Sequence, residues 1–152
     1  MAHLKKSILI NAPLDKVYTL ARDPKRWASW WVGLSEPEKI TGDGGAGTVV
    51  EQSYLLMGLR FPVPTRVLED RIGPEGAFWK CKMEGPLAGE QTWTFIPKGN
   101  DTEVTAEMEY TVPGKLLGKI ADRLIIERMM ERNIGNTLEN LKMLSVGEPV
   151  HV

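Results

Sequence analysis

Gln91-Thr92-Trp93-Thr94-Phe95-Ile96-Pro97-Lys98-Gly99-Asn100-Asp101-Thr102-Glu103-Val104-Thr105-Ala106-Glu107-Met108-Glu109-Tyr110-Thr111-Val112 holds two alternating runs joined by a turn. In the first run Gln91, Trp93 and Phe95 oppose Thr92 and Thr94; in the second, Val104, Ala106, Met108, Tyr110 and Val112 oppose Glu103, Thr105, Glu107, Glu109 and Thr111. A period of two marks strands, whose successive side chains point to opposite faces. Gly99-Asn100-Asp101 supplies the turn.

Working back along the chain, Trp79, Cys81 and Met83 alternate with Phe78, Lys80, Lys82 and Glu84. Gly42-Asp43-Gly44-Gly45, Gly73-Pro74-Glu75-Gly76 and Gly85-Pro86 punctuate the segment from Ser35 to Val112 into strand-length pieces. Strands so close together pair antiparallel, because a parallel pair needs a crossover of a dozen residues or more. The pattern predicts a sheet with one buried and one wet face. Phe61-Pro62-Val63-Pro64 belongs at an edge or bend, since prolines two apart remove donors from one side of a strand.

The flanks are helical apart from a first strand over Leu4 to Ile10. Asn11-Ala12-Pro13 stops that strand, and Leu14, Val17, Tyr18 and Ala21 then recur at helical spacing. Asp23-Pro24 predicts a second short helix with Asp23 as its N-cap, and Trp27, Trp30 and Trp31 make the segment a buried hinge or lid. After Pro113-Gly114 the chain reads as helix to about Leu144 in two stripes. Leu117, Ile120, Ala121 and Leu124 form one; Ile126, Met129, Met130, Ile134, Leu138, Leu141 and Leu144 form the other. The stripes are out of phase by roughly 100° on a straight helix, so a kink or break is expected near Leu124 to Glu127. Asn133 and Thr137 lie within the second stripe and need hydrogen-bond partners there.

Composition narrows the function. The 152 residues suit one domain, taken as residues 1–152. Nineteen basic residues against twenty acidic ones give a net charge of -1, which offers no field to hold nucleic acid or an anionic membrane. No apolar run is long enough to span a bilayer and no secretory leader is visible, so a cytoplasmic location without stable membrane insertion is expected. The single cysteine, Cys81, excludes an internal disulfide, and the only histidines, His3 and His151, lie at the chain ends. No metal site, cofactor motif or histidine-based catalytic set is expected.

Individual motifs read plainly. Gly42-Asp43-Gly44-Gly45-Ala46-Gly47 has dinucleotide-loop spacing, but Thr48-Val49-Val50-Glu51-Gln52 continues as a strand where pyrophosphate binding needs a helix N-terminus, so a hairpin turn is predicted. Asn100-Asp101-Thr102 is a solvated turn rather than a glycosylation site. Cys81 shares the apolar face with Trp79 and Met83 and reads as a structural thiol.

The order of one strand, two short helices, six strands and a long C-terminal helix resembles the helix-grip fold of the START and Bet v 1-like superfamily. Within it, the chain resembles the bacterial polyketide cyclase/dehydrase and lipid-transport family. The resemblance rests on Ile8-Leu9-Ile10-Asn11-Ala12-Pro13 with Val17, on Asp23-Pro24 with Trp27 and Trp30, on Trp93-Thr94-Phe95 before the Gly-Asn-Asp-Thr turn, and on Leu138-Glu139-Asn140-Leu141-Lys142. It implies an α+β fold of about seven antiparallel strands curved around the final helix. An elongated apolar cavity between them would take lipids, polyketides, quinones or other hydrophobic molecules. It implies no fixed catalytic set.

On this reading Tyr54, Trp79, Gln91, Trp93, Tyr110, Met129, Met130 and Asn133 are the candidate ligand-binding residues. The aromatic and methionine side chains supply apolar surface, while Gln91, Asn133 and Tyr110 orient a polar end. Binding or carriage of a small hydrophobic ligand is the leading expectation. A cyclase or dehydratase would need a positioned proton donor or acceptor, for which Tyr110, Tyr54 and Glu69 are the inward candidates. An interaction module resembling chaperone regulators would instead use the outer sheet face.

Overall fold

The structure is a computed structural model and describes residues 1–114, 116 and 122–147. In chain order the elements are β1 (Ala2–Ile10), α1 (Leu14–Ala21), α2 (Trp27–Trp30), β2 (Lys39–Thr41), β3 (Val49–Glu51), β4 (Ser53–Leu56), β5 (Leu59–Pro62), β6 (Thr65–Gly73), β7 (Gly76–Met83), β8 (Gly89–Lys98), β9 (Asp101–Tyr110) and α3 (Arg123–Ser145). Seven strands form one antiparallel sheet in the order β1-β9-β8-β7-β6-β3-β2, and β4 and β5 form a separate hairpin. The expected alternation holds: Ala77, Trp79, Cys81 and Met83 are buried on β7, as are Gln91, Trp93 and Phe95 on β8. The glycine-rich loop turns β2 into its antiparallel partner β3. Phe61 and Pro62 end the separate hairpin, where missing donors cost the main sheet nothing.

Helix α3 crosses the buried face. Ile126, Met130, Ile134, Thr137, Leu138 and Leu141 are buried along it at helical spacing. At 23 residues it reaches ~34 Å, enough to span a protein of this size. The break in apolar phase is a helix start rather than a kink: the Asp122 side chain accepts from the Ile125 N–H as N-cap, and Leu124 is exposed on the first turn. Leu117, Ile120 and Ala121 of the first stripe lie outside the described residues, as does His151.

The inward polar groups of α3 have partners. Thr137 Oγ1 accepts from the Val32 N–H at 3.0 Å, and Asn133 Nδ2 donates to the Tyr54 hydroxyl at 3.0 Å. Asn140 Nδ2 reaches the Trp30 carbonyl at 3.2 Å, so α3 is tied to the segment that carries α2. Asp23 does not cap α2, whose N-cap position is Arg26 with no side-chain bond. Its carboxylate instead accepts from the Lys25 N–H within the preceding turn, an Asx arrangement natural to Asp before proline.

Candidate functional site

The crevice is lined from β7, β8, β9 and α3, with Trp27 of α2 and Tyr54 of β4 adding to its wall. Trp27, Trp31, Leu34, Gln52, Tyr54, Val63, Thr65, Trp79, Cys81, Met83, Leu87, Gln91, Met108, Tyr110, Met130 and Ile134 line it. None of these carries a formal charge at neutral pH. The crevice is narrow: about 30 Å³ is open to the centre of a water molecule, room for about two waters at roughly 10–15 Å³ each.

The expected elongated cavity is therefore narrow, and Trp27, Trp31 and Trp79 form part of its wall. Trp27 meets Trp79 edge to face at 5.5 Å between ring centroids, while Trp30 and Trp31 lie 5.8 and 5.4 Å from Trp93. All five tryptophans of the chain share one core. Such aromatic contacts contribute beyond the area they bury.

Polar groups divide into satisfied and unsatisfied. Trp27 Nε1 donates to the Ala21 carbonyl at 2.9 Å, and Trp93 Nε1 to Gln91 Oε1 at 2.9 Å. Gln91 Nε2 lies 3.1 Å from the Met83 sulfur, so both ends of this amide are engaged by protein neighbours. Gln52 Nε2 donates to Thr65 Oγ1 at 3.1 Å, and the Thr65 hydroxyl donates to the Val63 carbonyl at 2.9 Å. Gln52 Oε1 and Trp79 Nε1 are buried without a partner among the described residues.

The titratable groups lining the crevice are all displaced away from neutrality. Burial pushes the Tyr54 hydroxyl up, against the opposing hydrogen bond from Asn133. It pushes the Cys81 thiol up as well. Tyr110 rises through burial and then through the nearby charges of Glu127 and Glu131. Beside the crevice, Asp70 accepts from Arg22 Nη2 at 2.6 Å and from the Tyr18 hydroxyl. Burial raises the Asp70 carboxyl, but the hydrogen bonds from Arg22 and Tyr18 outweigh it and hold the group below its ordinary range.

Of the eight candidate residues, Tyr54, Trp79, Gln91, Tyr110 and Met130 line the crevice. Trp93, Met129 and Asn133 do not. Trp93 lines a second void of about 10 Å³ next to Tyr18, Trp30 and Phe95. Met129 is half-buried against the core, one helical position away from Met130. Asn133 stands behind Tyr54 and holds its hydroxyl.

Glu69 faces outward, contrary to the expectation that it is an inward acid. Pairing runs from Val67↔Cys81 to Glu69↔Lys80, so a bulge at Leu68 inverts the side-chain phase and brings Asp70 inward in its place. Gln52 joins the site without having been expected there, although it continues the alternation of Thr48 and Val50, both buried.

A seven-stranded antiparallel sheet gripping a long C-terminal helix, with an apolar crevice between them, defines a helix-grip protein. The profile of the family described as polyketide cyclase / dehydrase and lipid transport matches residues 1–145, and the chain belongs to that family. No curated protein matches this sequence. A protein of Thermus thermophilus is similar in structure at 21% identity, with TM-score 0.79 over 97% of this chain and 99% of that one. The Zhui aromatase/cyclase from Streptomyces sp. R1128 gives 17% identity and TM-score 0.71 over 95% and 93% of the two chains. Norcoclaurine synthase from Thalictrum flavum, in complex with dopamine and hydroxybenzaldehyde, gives 17% and 0.66 over 97% and 87%. At these identities the likeness concerns fold. No helix among the described residues is long and apolar enough to cross a membrane.

Proposed function

We propose that this protein binds and carries a small, uncharged hydrophobic molecule in the crevice between the sheet and α3. The observation that carries the reading is the lining: sixteen residues, none charged, with Met83, Met108 and Met130 contributed by three different elements. Methionine is the core side chain that rearranges most readily, so a crevice now wide enough for water opens by rotamer changes rather than by moving backbone. Trp79, Tyr54 and Tyr110 add apolar area, and membership of a family that includes lipid transport supports the same use. Carriage is favoured over proton-transfer chemistry because Tyr54, Cys81 and Tyr110 all titrate further from neutrality than their ordinary values.

The test is native mass spectrometry of the protein purified from its own host. A bound molecule of defined mass is expected, and it should be lost in Met130→Trp, which fills the crevice, when circular dichroism shows that variant folded. Apoprotein alone, in every preparation and with no saturable binding of added hydrophobic probes, would count against the reading.

A further inference from the structure

We propose that the crevice selects a ligand bearing a neutral hydroxyl group, held between Gln52 and Trp79; this rests on the binding reading above. Two buried polar atoms in the lining have no partner among the described residues: Gln52 Oε1, an acceptor, and Trp79 Nε1, a donor. Gln52 is 6% exposed and Trp79 5%. A buried group without a partner loses the hydrogen bonds it makes in water, so each atom is a standing demand for one.

The orientation of the Gln52 amide is fixed by its neighbours. The Thr65 hydroxyl gives its proton to the Val63 carbonyl, so toward Gln52 it offers only a lone pair, and the amide must present its N–H. The carbonyl oxygen is thereby the end of the amide left without a partner among the described residues. Gln91, the other amide in the lining, makes no such demand, because Trp93 and Met83 occupy both its ends.

The two demands are of opposite kind, and this sets the ligand chemistry. A ketone or ether oxygen accepts from the indole but gives nothing to Gln52. A carboxylate likewise lacks a donor, and it would bring a charge into a lining that holds no cation. A hydroxyl is donor and acceptor together: its proton serves Gln52 Oε1, its lone pairs serve Trp79 Nε1, and one placed between them serves both. A hydroxylated aromatic or alicyclic molecule is the class that matches.

Four probes sharing one ring system separate this inference from the reading beneath it: naphthalene, 2-methoxynaphthalene, 2-naphthol and 2-naphthoate, titrated calorimetrically at pH 7. The expected order is naphthol tightest, by roughly tenfold over naphthalene, methoxynaphthalene between the two because it meets only the indole, and naphthoate weakest. Gln52→Leu and Trp79→Phe should each shrink the ratio of naphthol to naphthalene affinity toward one, a ratio that cancels whatever either substitution does to the apolar contacts both probes share. Naphthol equal to naphthalene in the unaltered protein, or naphthoate the tightest, overturns the inference while leaving hydrophobic binding intact. If none of the four binds, both proposals fail. The probe series needs no variant, so a substitution that fails to fold does not rescue the proposal.

Discussion

Asp70 shows how much of this site turns on one position. Its carboxylate takes Arg22 and Tyr18 as partners, with the Asp70 side chain 13% and the Arg22 side chain 32% exposed. Because Asp70 is held below its ordinary value, its contribution to stability is complete above the unfolded carboxyl near pKa ~3.9 and is lost as pH falls through the lower folded value. Asp70→Asn should therefore cost about 1–2 kcal/mol at pH 7, a figure already reduced for solvent around Arg22. Urea denaturation should show the gap between variant and parent narrowing as the pH is taken below about 4. A gap that stayed constant down to pH 2 would assign the loss to packing instead. Nothing in the alternation marks Asp70 as inward, because a regular strand would place Glu69 there. The bulge at Leu68 is a property of pairing with β7, not of the local residues, and so escapes a reading of one strand. Gln52 was legible as an inward residue, but its unmet carbonyl depends on where Thr65 sends its proton.

Two glycines give opposite forecasts in the two kinds of element they occupy. Gly89 begins β8 opposite Tyr110, and a Cβ there would stand 1.9 Å from the Glu109 carbonyl oxygen. Backbone cannot yield as a flexible side chain does, so Gly89→Ala should abolish the cooperative thermal transition or lower it severely. Gly135 lies within α3, and a Cβ there meets nothing within 4 Å. Gly135→Ala should stabilise by about 0.5–1 kcal/mol, since glycine in a helix interior costs that much in backbone entropy. The same calorimetric scan checks both, and a stable Gly89→Ala would contradict the β8–β9 register. Strand periodicity made β7, β8 and β9 readable with their faces. The long helix was readable too, but its first residue was not: the phase break near Leu124 is visible in the apolar stripes, whereas the cap that causes it is Asp122.

Taken whole, the molecule is a grip whose inside is nearly full. The sheet-and-helix arrangement and its apolar interior follow from patterning, which fixes which side chains face inward. How tightly they fill the space does not, because packing depends on the meeting of α2 with β7 and β8, elements about 50 to 65 residues apart in sequence. Trp27, Trp30 and Trp31 signalled a buried segment, and their rings pack against Trp79 and Trp93 of the sheet. Opening need not be prohibitive. A ligand the size of an aromatic side chain buries about 200 Å² and gains ~5 kcal/mol at about 25 cal/mol per Å². Holding each methionine about 30° off a rotamer minimum would cost about 0.5–1.5 kcal/mol. Methyl-labelled methionine resonances report on this directly, because Met83, Met108 and Met130 line the crevice while Met143 is exposed on α3. Titration with 2-naphthol should move the three crevice methyls together and saturably and leave Met143 in place; three unmoved crevice methyls at saturating ligand would show that the grip does not open.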